Sequence, residues 1–67
     1  MTKQLFLNEL AAALHSLPRE ERYRTLGYYD ELIDDRMEDG QSEEDAVESL
    51  GSPEQIAREI LGLPPAR

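Results

Sequence analysis

Apolar residues recur along this chain at intervals of three and four, and each run is bounded by residues that start or stop a helix; no useful length alternates with the period of a strand. Thr2 is placed to cap a first helix running to about His15 or Ser16, in which Phe6, Leu7, Leu10, Ala13, Leu14 and Leu17 gather on one side and Leu5 falls outside the stripe. Ser16-Leu17-Pro18 ends that helix and opens the longest one, because the residue before proline disfavours helical backbone while proline suits the first helical turn. The second helix is expected from Pro18 to Asp39, with Leu26, Tyr29, Ile33 and Met37 as its core stripe, Tyr28 and Leu32 on one flank, and Gly40 as the stop. Gly27 lies inside it and is read as tolerated rather than required by close packing. Ser42 caps a third helix from Glu43 to Leu50 that buries Ala46, Val47 and Leu50, with Asp45 in the place of a capping-box acid. A stop and a start are then fused without a linker. Gly51 supplies the left-handed residue that closes one helix, Ser52 caps the next, Pro53 occupies its first position, and Gln55 completes a Ser-x-x-Gln capping box. The fourth helix, Pro53 to Leu61, contributes Ile56, Ala57, Ile60 and Leu61 before Gly62, with Leu63 and two prolines beyond.

These elements predict an all-α fold: one compact domain over residues 1–63, two longer antiparallel helices covered by a short C-terminal helical hairpin, and a tail or truncated linker at 64–67. Chains of this length bury only about 60% of the surface their unfolded form exposes, and below roughly 70–80 residues one core rarely supplies more than about 3–5 kcal/mol. With no cysteine for disulfides, support from a partner, from self-association or from a continuing chain is expected. The lack of cysteine, of a spanning apolar run and of a secretory start points to the cytoplasm.

Charge changes the picture more than size does. The formal net charge is −8, and from Asp30 to Glu48 ten acids face Arg36 alone, whereas the remainder carries six bases against five acids. Such a field repels phosphate and anionic lipid, so direct binding of nucleic acid or of a membrane surface is not expected. An EF-hand alignment on Gly40 places Asp35, Asp39 and Glu43 at loop positions one, five and nine, yet puts Met37 and Ala46 where ligands at three and twelve are needed. No metal or cofactor is expected. Catalysis has no support either: His15 is the single histidine and lies on the polar side, while Glu20-Glu21 and Asp34-Asp35 point about 100° apart on a helix and cannot share a proton. A helix-turn-helix reading of the last two helices offers only Gln55 and Arg58 as base readers beside the acids. An acidic carrier-type protein is the more serious alternative, but its Asp-Ser-Leu attachment sequence has Glu48-Ser49-Leu50 as nearest match, at a helix end rather than a start. Arg22 interrupts the apolar stripe of the second helix. Either its stem packs while the guanidinium reaches solvent, or it pairs across the bundle with Glu54 or Glu59.

Leu17-Pro18 with Glu20-Glu21-Arg22, then Tyr28-Tyr29-Asp30-Glu31 and Asp34-Asp35, then Gly40 with Ser42-Glu43-Glu44, and finally Leu50-Gly51-Ser52-Pro53-Glu54-Gln55-Ile56-Ala57 resemble the HAAS family of small helical signalling domains, in the family's order and spacing. The resemblance implies a non-enzymatic regulatory module that binds a PadR-like transcription regulator and is normally coupled to the membrane by helices that follow it. This chain shows no spanning segment after the matching stretch. The surface expected to meet the regulator comprises Asp30, Glu31, Asp34, Asp35 and Glu38, with Tyr28 and Leu32 as apolar anchors; Gly40, Ser42, Gly51, Ser52, Pro53 and Gln55 are assigned structural roles. A self-associating helical adaptor using the same flank as a homodimer contact is the principal alternative.

Overall fold

In the computed structural model, which describes residues 1–64, four helical segments follow in order. They are α1 (Lys3–Ala13), α2 (Arg19–Glu38), α3 (Glu43–Glu48) and α4 (Pro53–Leu61), and no strand occurs among the described residues. The caps are those the sequence dictates. The hydroxyls of Thr2, Ser42 and Ser52 accept from the N–H groups of Leu5, Asp45 and Gln55, each at 3.1 Å. In the two Ser-led caps only this half of the box forms: no side-chain bond returns from Asp45 or Gln55 to the capping serine among the described residues. Gly40 has φ +102°, and beyond it Gly40 N–H bonds to Met37 O while Gln41 N–H bonds to Arg36 O, both at 3.1 Å, the paired closure of a Schellman stop.

Helix α1 is shorter than its periodicity suggests. After Ala13 the backbone tightens, His15 N–H reaching Ala12 O and Leu17 N–H reaching Leu14 O at 3.0 Å, so that the chain reverses while Leu17 still packs on the core. Arg22 completes this turn by donating from Nη1 to Leu17 O at 3.3 Å. Neither expected account of Arg22 holds in full: its stem is half-buried, but the guanidinium serves a backbone carbonyl, and Glu54 pairs instead with Arg58 at 3.6 Å.

Helices α1 and α2 run antiparallel, with Lys3 beside Asp34 and the Phe6 ring 6.2 Å from that of Tyr29. The core is shared by all four segments: Phe6, Leu10 and Leu14 from α1 and its turn, Ile33 from α2, Ala46 and Val47 from α3, and Ile56 and Ala57 from α4. Helix α1 is the hub, packing on the other three, while α2 also packs on α3. The two C-terminal segments do not pack on each other. They form a bent helix across the Gly51-Ser52 corner, each arm using the body of the protein as its partner, in place of the expected hairpin. Two expected core residues lie outside: Met37 is 41% and Ile60 40% exposed, because at the ends of α2 and α4 the apolar stripe outruns the helices it could pack against. Pro53, assigned only to helix initiation, is buried as well. The expected tail at 64–67 lies, apart from Pro64, outside the described residues.

Candidate functional site

The acids of α2 divide by the side of the helix they occupy. Taking Ile33 as the centre of the buried face and about 100° per residue, Asp30 and Asp34 lie on one flank and Leu32 and Tyr28 on the other. The seven residues expected to form one surface therefore do not share a face. Tyr28, Glu31, Asp35 and Glu38, spaced by three and four, share the outer, exposed side of α2. Leu32 is half-buried at the edge.

Asp30 and Asp34 are already engaged. Lys3 Nζ stands 2.9 Å from Asp30 Oδ1 and 3.0 Å from Asp34 Oδ1, and the Lys3 backbone N–H donates to Glu43 Oε2 at 2.9 Å. One residue at the start of α1 thus ties α2 and the first turn of α3. Contact with Asp30 first and Asp34 second raises the Lys3 ammonium above its ordinary 10.5, against a smaller opposing effect of burial. Sequence reasoning missed this cluster because its members are separated by about thirty to forty positions; the isolation of Lys3 as the one base before Arg19 was the available signal.

On the opposite flank Tyr28 is 59% exposed and stands edge-on to Tyr29, ring centroids 5.1 Å apart. Burial raises the Tyr29 phenol above its ordinary 10.0, with Tyr28 and Glu59 adding to it. A shallow groove runs here between α2 and α4, lined by Arg24, Thr25, Tyr28, Tyr29 and Ile60. A larger groove, of about 520 Å³, lies at the α3–α4 corner, where Met1, Val47 and Pro53 are bordered by Glu44 and Glu48. Ser49, the nearest match to a carrier attachment serine, donates its hydroxyl to Ala46 O at 2.7 Å at the end of α3.

No group of three or more histidine, aspartate or glutamate side chains is arranged to hold a metal ion among the described residues. None of the described helices is long and apolar enough to cross a membrane. What the described surface offers is charge and shape: a mostly acidic exterior with apolar indentations at the α2–α4 groove and the α3–α4 corner.

Compared with models of known families, the chain matches HAAS over residues 5–59, which takes in the core residues from Phe6 to Ala57 and the corner. Neither curated proteins nor solved structures supply a match.

Proposed function

The chain belongs to the HAAS family, a family of small non-catalytic domains generally associated with PadR-like regulators, and from that premise we propose that it is a regulatory protein-interaction module whose partner is such a regulator. The observation that carries the reading is the number of exposed acids without internal partners: Glu31, Asp35 and Glu38 on the outer side of α2 and Glu44 and Glu48 on α3 make no ion pair among the described residues. Acids without internal partners complement a basic surface, and the DNA-reading face of a transcription regulator is basic of necessity. Binding there competes with DNA, so the module acts by withdrawing the regulator from its operator. The module works on the cytoplasmic side of a membrane and is coupled to it; the family resemblance supports this.

The test is a titration of a PadR-like regulator taken from the same genome, followed by calorimetry at low and at moderate salt. Binding that weakens as salt rises is expected, and operator DNA should compete. No binding at low salt would sink the proposal. A second reading, self-association through the Tyr28 flank, is favoured by the exposure of Tyr28 beside Ile60. Sedimentation over a concentration series separates the two, since a persistent monomer excludes the homodimer alone.

A further inference from the structure

We infer that the docking point for the basic partner is the groove at the α3–α4 corner, and that its occupant is an apolar side chain flanked by lysine or arginine on the partner protein. The inference rests on the reading that this partner is a basic protein, and it places the contact away from the tyrosine flank of α2. Val47 and Pro53 form the buried wall of the groove, while Met1 covers one edge and is 46% exposed. Glu44 and Glu48 stand one helical turn apart on α3 and both border it. Two like charges at that spacing repel, and neither has a cationic partner among the described residues. The α-ammonium of Met1 makes no ion pair with either acid among the described residues, and the nearest basic side chain in sequence, Lys3, is held by Asp30 and Asp34. An apolar wall with an unneutralised acidic border is complementary to an aliphatic side chain between two cations: the side chain displaces water from the wall while the cations remove the repulsion. A second copy that met this groove with its own would set Glu44 and Glu48 against the same two acids, which leaves the repulsion in place. The corner also presents the groove in fixed form, since the Ser52 cap and the Gly51 turn set the angle between α3 and α4, so little ordering accompanies binding.

Two probes test this: the same PadR-like regulator, and a synthetic helical peptide with one leucine flanked by lysines, each titrated while amide NMR shifts are followed. Both should move Val47, Glu48, Gly51 and Ser52 most. The double variant Glu44→Lys/Glu48→Lys, checked for helicity by circular dichroism, should weaken either complex by about tenfold or more, whereas Glu20→Lys/Glu21→Lys, with the same change of charge at the far end of α2, should weaken it less than about threefold. Replacing the peptide's leucine with serine should also weaken binding. Shifts centred on Tyr28 and Leu32, equal losses in the two double variants, or no binding of the peptide would overturn the inference. If the regulator binds elsewhere, the groove assignment fails and the functional proposal survives; if the peptide occupies the groove and the regulator binds nowhere, the reverse holds. Movement of the groove amides on concentrating the domain alone would give the site to a second copy and also overturn the inference.

Discussion

Lys3 and Tyr29 both bind their protons more tightly in the folded protein than in the unfolded chain, one through paired carboxylates and the other through burial. The consequence has a definite sign. For Lys3 the stabilisation is complete below 10.5, the unfolded value, and disappears as pH rises through the higher folded value. For Tyr29 the unfolded chain begins to ionise near 10.0 while the folded phenol stays neutral, so stability falls over the same window. Through these two groups the melting temperature should be flat from about pH 7 to 9 and decline from about pH 10 upward, with a shallower decline in Lys3→Met and in Tyr29→Phe. Thermal unfolding across that range checks it; a decline complete by pH 9 in the parent protein contradicts it. Gly27 gives an opposite kind of prediction. A methyl group added there meets nothing within 4 Å, and the position lies inside α2, so Gly27→Ala should stabilise the fold by about 0.5–1 kcal/mol, measurable as a higher denaturant midpoint. The tolerance of Gly27 could be read from its place inside one helix, whereas the Lys3 cluster was not legible, because a lysine reveals nothing about acids some thirty residues away until the chain has folded.

At the scale of elements, helix boundaries were legible wherever local chemistry decides them. The Ser52, Pro53 and Gly62 signals place α4 at Pro53–Leu61 as expected, and Ser42 and Gly40 likewise delimit the loop before α3. Those signals act within one turn of backbone, so no tertiary contact is needed to read them. What failed was the step from stripe to neighbour: periodicity assigns Met37 and Ile60 to the apolar side of their helices, but only the lengths and angles of the other helices decide whether anything covers them. The candidate site was legible in the same partial way. The acidic run from Asp30 to Glu48 could be read from the sequence, while its division between the Lys3 cluster, the outer side of α2 and the corner groove depended on packing. The same logic separates two contributions to the corner. Because α3 and α4 do not pack on each other, the bend is held by the docking of each arm on the body and, locally, by the Ser52 hydroxyl and the Gly51 turn. Ser52→Ala should cost about 1 kcal/mol in chemical denaturation, and Ser52→Asp, which restores an acceptor, should recover most of it. Equal losses in both variants would show that the cap is not what stabilises the corner.

Over the whole molecule, two opposing electrostatic effects respond to salt, and their relative size can be decided. Attraction within the fold is concentrated on Lys3, whose side chain is only partly covered, together with the exposed Arg58–Glu54 pair. Surface pairs of this kind contribute about 0–1 kcal/mol each. Repulsion arises from ten acids against one arginine between Asp30 and Glu48, in a body whose longest dimension is 34 Å. At about 0.01 M salt the screening length is roughly 30 Å, so every acid in that segment acts on every other; at about 0.1 M it is roughly 10 Å and only neighbours interact. Unfolding lets those charges separate, so at low salt the repulsion favours the unfolded chain. With many repelling pairs against a few attracting ones, screening should raise the melting temperature by a few degrees between those two concentrations, a change on the order of 1 kcal/mol. The complex with a basic partner must respond in the opposite direction, since its attraction across the interface is screened by the same ions. Unfolding and titration in matched buffers therefore separate the two effects: the fold should gain and the complex lose over one salt series. If the fold were instead destabilised by salt, the Lys3 cluster would outweigh the acidic segment, and its replacement by methionine should reverse the trend.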